Sequence, residues 1–85
     1  MVIVNRSSYV LAINGKNLGP EHEMSVHERS FNSQSVFSGV GGIEIITEYS
    51  KRKFRCFGQL YAYEDQKFKD SDGLPYIMIV DREGV

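Results

Sequence analysis

The sequence predicts an all-β domain, mainly antiparallel, folded as a small β-sandwich or open β-barrel of about six or seven short strands. Three observations carry this expectation. Residues 42–61 hold two β-branched and aromatic runs separated by the polar pair Ser50 and Lys51. Asn14-Gly15 follows an apolar alternating segment, and Tyr76-Ile77-Met78-Ile79-Val80 forms an apolar run suited to a central strand.

Taken in order, Val2-Ile3-Val4 reads as a first short strand, with Arg6, Ser7 and Ser8 as its exit. Tyr9 to Ile13 reads as a second, turned by Asn14-Gly15, the dipeptide best suited to the positive backbone angles of a type I′ turn. This turn sets Leu11 opposite Leu18. Gly19-Pro20 ends the ribbon, because proline cannot donate to a ladder. Met24 to Glu28 resumes alternation as another strand. Residues 30–42 are rich in Ser, Asn, Gln and Gly, and read as a loop anchored by Val36, Phe37 and Val40.

The hairpin at 42–61 fixes faces as well as strands. Centring its turn on Ser50 and Lys51 places Glu48 opposite Lys53, Thr47 opposite Phe54, Ile46 opposite Arg55, Ile45 opposite Cys56 and Glu44 opposite Phe57. Side chains alternate along a strand, so Ile43, Ile45, Thr47, Phe54 and Cys56 form an inner face. Glu44, Glu48, Lys53 and Arg55 stand outside. If the second strand continues, Phe57, Gln59, Tyr61 and Tyr63 extend that outer row. Phe57, Leu60, Tyr61 and Phe68 also match one face of a helix, and the expectation is strand to about Tyr63, then loop. Residues 70–75 are dense in turn formers, and 81–85 reads as a frayed tail.

The 85 residues form one domain, 1–85, with a modest core and little room for an elaborate active site. Charged residues make up 25% of the chain and the net charge is -1, so no whole-molecule attraction to nucleic acid or anionic membrane exists. Cys56 is the only cysteine and cannot form an internal disulfide; its inner-face position makes it a small buried apolar residue. A cytoplasmic setting is expected. The start of the chain lacks a signal-peptide pattern, no stretch approaches a membrane span, and the chain reads as a complete protein with no membrane partner.

Candidate chemistry is sparse. His22 and His27 are five apart in sequence, which sets them on opposite faces of an extended segment, and with Cys56 they match no zinc spacing. Asp70-Ser71-Asp72-Gly73 resembles the start of a calcium loop, yet Leu74, Pro75 and Tyr76 follow where oxygen ligands belong, so a turn is expected. No Gly-x-Ser-x-Gly elbow occurs, and Gly39-Val40-Gly41-Gly42 leads into a strand, whereas phosphate loops open a helix. Glu44 and Glu48 on one strand face would lie about 13 Å apart, too far for glycoside cleavage. The residues therefore predict no enzyme, no metal and no cofactor.

Binding is the remaining class. The expectation is a non-enzymatic protein-binding module, an inhibitor or accessory subunit such as a regulator from a phage or mobile element. Phe57, Tyr61, Arg55, Lys53 and Tyr63 are its expected contacts, since aromatic and arginine anchors dominate interface energetics. Single-stranded nucleic acid is the alternative partner, through the basic and aromatic strand at 51–63 with its four cations among residues 51–55. Glu44, Glu48, Glu64 and Asp65 place negative charge beside that strand. A structural or virion component, homo-oligomeric through edge strands, is the third reading.

Overall fold

A computed structural model describes residues 1–27, 37, 39–47 and 51–84. The all-β expectation holds. The strands are β1 (Val2–Asn5), β2 (Leu11–Ile13), β3 (Lys16–Leu18), β4 (Glu23–Ser25), β5 (Gly41–Ile46), β6 (Lys53–Gly58), β7 (Leu60–Lys69) and β8 (Pro75–Asp81). A short 3-10 turn, Arg82–Gly84, follows, and no α-helix occurs among the described residues. Among the described residues no helix is long and apolar enough to cross a membrane.

Four strands form one sheet in the order β4-β1-β8-β7, while β2-β3 and β5-β6 are two-stranded. Among the described pairings β1 and β8 alone run parallel. They lie at opposite ends of the chain, so no tight turn dictates their direction. Leu60, Ala62, Ile3, Ile77 and Ile79 from the larger sheet meet Leu11, Ile13, Leu18, Ile43, Ile45 and Phe37 in one core. The two hairpins thus cover one face of the sheet. Phe54 and Cys56 of β6 are half-buried against the same core, as the alternation requires.

The Asn14-Gly15 turn behaves as its sequence dictates. Both residues have positive φ, 50° and 79°, and Leu11 pairs with Leu18. Asn5 ties this hairpin to β1. Its amide nitrogen donates to the Tyr9 and Leu18 carbonyls at 2.7 and 2.9 Å, while its oxygen accepts from the backbone and hydroxyl of Ser7. A fully buried amide with both ends engaged fixes the 6–10 loop.

Several expectations need correction. In the second hairpin Ile45 faces Phe54, Ile43 faces Cys56, Glu44 faces Arg55 and Gly42 faces Phe57, a two-residue offset from the expected register. The physical reason lies at the open end, where Gly41 pairs with Gly58 and the backbones nearly touch: a Cβ on Gly41 would lie 2.2 Å from the Phe57 carbonyl oxygen. Only glycine permits that approach. An even offset leaves every side chain on its expected face. The expected Glu48 to Lys53 pairing involves a residue outside those described, and Lys53 faces Ile46.

The strand expected to run unbroken from 53 to 63 breaks after Gly58, whose φ is +64°, and the described residues form eight strands. Beyond the break, β7 continues to Lys69 instead of ending near Tyr63, with an irregularity between Asp65 and Lys69. Glu64 and Asp65 have low strand preference, but Ile77 and Tyr76 across the ladder override it. β4 ends at Ser25, although Val26 still donates to the Met1 carbonyl. Of the expected loop anchors, Phe37 is buried, Val40 is 45% exposed, and Val36 lies outside the described residues. The segment expected to fray supplies Asp81 to β8, which accepts from the Ser8 hydroxyl at 2.6 Å. Arg82 donates to the Gly58 and Leu60 carbonyls around the strand break.

Candidate functional site

The larger sheet has a second face, and its residues follow from strand alternation. With Ile77 and Ile79 turned to the core, Tyr76, Met78 and Val80 of β8 project the other way. With Ile3 inward, Val2 and Val4 of β1 do the same. The ladder sets Tyr63 opposite Met78, Tyr61 opposite Val80 and Val4 beside Met78, so these side chains share one surface. Val2, Val4 and Met78 pack into a small cluster of their own, with Tyr76 against it.

Rings line this face. Tyr61 and Tyr63 stack with centroids 6.5 Å apart, and Phe68 stacks on Tyr76 at 5.6 Å. The irregularity in β7 precedes Lys69 and brings Phe68 over the Tyr76 end of β8. A cleft of about 340 Å³ opens there, lined by Val4, Arg6, Glu23, Phe68, Tyr76 and Met78. Val4 and Met78 form an apolar floor, while the two rings make a wall. At the mouth Arg6 forms an exposed ion pair with Glu21 at 3.7 Å, and the Glu23 carboxylate has no ion pair among the described residues.

The structure separates the sequence-derived contacts into two groups. Tyr61 and Tyr63 belong to the outer face of the larger sheet. Lys53, Arg55 and Phe57 lie on β6, in a different sheet, on the far side of the Gly58 bend. Arg55 sits 5.8 Å from the centre of the Phe57 ring and 3.7 Å from Glu44. No ring contact joins Phe57 to Tyr61 among the described residues. The basic cluster also shrinks, because the Arg52 side chain is buried, pairs with Glu64 at 2.9 Å and donates to the Pro75 carbonyl at 2.8 Å. It serves the join between β6, β7 and β8.

Val4, Glu23, Phe68, Tyr76 and Met78 were not singled out by sequence. The signal was present in the apolar runs 2–4 and 76–80, which lack the polar alternation of a strand with one wet face. Among the described residues, no three His, Cys, Asp or Glu side chains converge as metal donors. At 70–74 the Asp70 carboxylate accepts from the backbone of Asp72 and Leu74, each at 2.9 Å, which is the expected turn. No known protein family, curated protein or solved structure matches the chain.

Proposed function

We propose that this chain is a non-enzymatic domain that binds a protein partner across the outer face of its four-stranded sheet. The reading is carried by one observation: two stacked ring pairs, Tyr61 with Tyr63 and Phe68 with Tyr76, stand on the sheet face opposite the hairpins, and the second pair lines a cleft there. Aromatic side chains supply large contact area with few rotamers to fix, which is why they anchor interfaces. The surrounding charges, Arg6, Glu21, Glu23, Asp65, Lys67 and Lys69, are mixed in sign, which suits a protein surface better than a polyanion. An inhibitor or accessory subunit, including a regulator from a phage or mobile element, needs no more than such a surface. The single-stranded nucleic-acid alternative is weakened by the pairing of Arg52 with Glu64 and of Arg55 with Glu44.

The test replaces Tyr61 and Tyr63 together by Thr, which keeps strand preference while removing both rings. Tagged wild-type and variant chains are used to capture partners from source lysate with and without nuclease. The expected result is a protein retained by the wild type after nuclease and lost by the Tyr61→Thr/Tyr63→Thr variant, with unchanged circular dichroism. Capture that disappears with nuclease, that persists in the variant, or that fails for both would overturn the reading.

A further inference from the structure

We infer that Asn14 is a site of spontaneous modification by water, in which its side-chain amide becomes a carboxylate through a cyclic imide with the Gly15 backbone nitrogen. The Gly15 nitrogen attacks the Asn14 Cγ and gives up its proton, the side-chain nitrogen leaves as ammonia, and a succinimide ring forms. Water then opens the ring at either carbonyl. The products are aspartate and isoaspartate, in which the main chain runs through Cβ and Cγ; nothing is oxidised or reduced. The ring closes only where the asparagine Cβ eclipses the following nitrogen, at ψ of about −120°, which is the ψ of the first central residue of a type II′ turn.

Asn14 reaches that angle without unpairing its hairpin. Asn14 and Gly15 have φ of 50° and 79°, the signs of a type I′ turn, and both are exposed. Types I′ and II′ close the same two-residue loop, so a flip of the peptide between Asn14 and Gly15 converts one into the other with Ile13 still opposite Lys16. The flip carries Gly15 to negative φ, which glycine adopts freely, and among the described residues only its chain neighbours stand within 4 Å of a Cβ position there. In such a turn the closing hydrogen bond is donated by the Lys16 N–H to the Ile13 carbonyl, which leaves the Gly15 nitrogen outside the ladder. Asn5 and Asn17 are held away from the reaction, because they lie in β1 and β3, where ψ is about +115° to +135°. The nitrogen after each is also engaged. Arg6 donates to the Ile79 carbonyl at 2.7 Å, and Leu18 forms with Leu11 the next hydrogen-bonded pair of the ladder after Ile13 and Lys16. Of the two products, aspartate keeps the backbone and tolerates positive φ, so it adds only a negative charge. Isoaspartate lengthens the main chain within the two-residue turn and disturbs the register it sets for Leu11, Ile13 and Leu18, which are core residues.

The full chain, aged in mildly alkaline buffer with and without urea, tests this by peptide mass spectrometry, which reads the mass gained when NH2 is replaced by OH. Folding is expected to slow conversion at Asn14 by no more than about a hundredfold relative to urea, since a peptide flip suffices, whereas opening of a core hairpin would slow it by about a thousandfold or more. Asn5 and Asn17 in the folded chain are expected to stay intact while Asn14 converts. The hydrogen exchange of the Leu11 and Leu18 amides should rise in aged wild type as isoaspartate accumulates, and Asn14→Asp, which carries no amide at this position, should match fresh wild type. No conversion at Asn14 in the folded chain, a slowing beyond about a hundredfold, or conversion of Asn5 or Asn17 as fast as Asn14 would overturn the assignment. Unchanged exchange in chains that carry isoaspartate would overturn its effect on the hairpin.

Discussion

The inner face of the four-stranded sheet carries Ile3, Ile77 and Ile79 on β1 and β8, all with no exposed surface, whereas the outer face of the same sheet carries Tyr63 and Phe68 on β7, 41% and 49% exposed. Both faces have an apolar centre, and on the outer one Glu23, Ser25 and Asp65 border it. On the inner side the hairpins β2-β3 and β5-β6 supply the complementary layer, and Leu11, Ile13, Ile43 and Ile45 close the core. On the outer side Val2, Val4 and Met78 are shielded by neighbours in the same face, with rings standing above them. A sheet whose second face meets water ordinarily carries polar residues there. The proposed binding role of the outer face rests on this difference.

The comparison breaks most severely from the inside. Ile77 is fully buried, pairs with both Ile3 and Glu64, and sits in the main core. Ile77→Ala is expected to cost about 2–5 kcal/mol through lost transfer energy and a residual cavity. Urea unfolding followed by circular dichroism measures it directly. A cost below about 1 kcal/mol would mean that the site collapses freely and that the inner face is not the rigid one.

A smaller effect is expected at Gly58, where the chain leaves the hairpin and enters the sheet. Its φ of +64° disfavours a side chain, and a Cβ would lie 2.6 Å from the Val40 carbonyl oxygen and 2.8 Å from the Gly41 Cα. Gly58→Ala is expected to destabilise by about 1–3 kcal/mol, from backbone strain and the forced separation of two strands. The amide exchange of β5 and β6 should rise more than that of β1 and β8, since the contact lies at the hairpin's open end. Uniform loosening of all strands would place the glycine contact among the determinants of the whole fold.

How far each feature could be read from the chain depends on how local its cause is. Asn14-Gly15 specifies both its turn and its pairing, and Leu11 faces Leu18 as expected, because the backbone angles of two residues settle the register. Ser50 and Lys51 impose no such geometry. The register of the second hairpin is set instead by Gly41 against Gly58, a contact between residues 17 positions apart that is visible only when the strands are already paired. The inner and outer sets survived because the offset is even. Tyr61 and Tyr63 were legible as outward residues from alternation alone. Their separation from Phe57 was not, since it depends on how Gly58 redirects the chain. The cleft was least legible of all, because it forms where β1 lies parallel to β8 and Phe68 folds over Tyr76. No short sequence pattern specifies that meeting.

The mildest change expected is the one that decides what the outer face is for. Tyr63 is opposite Met78 and 41% exposed, and its described ring partner is Tyr61. Threonine at this position preserves strand preference and gives up one partly wet stacking contact, so Tyr63→Thr is expected to change stability by no more than about 1 kcal/mol. Set beside Ile77→Ala in the same urea titration, it should leave the midpoint near the wild-type value with an unchanged slope. A near-neutral result would mean that the fold does not require this ring, leaving its aromatic surface free to serve contact with another protein. A loss as large as that at Ile77 would show the ring to be structural, and the two faces of the sheet would then differ in accessibility but not in role.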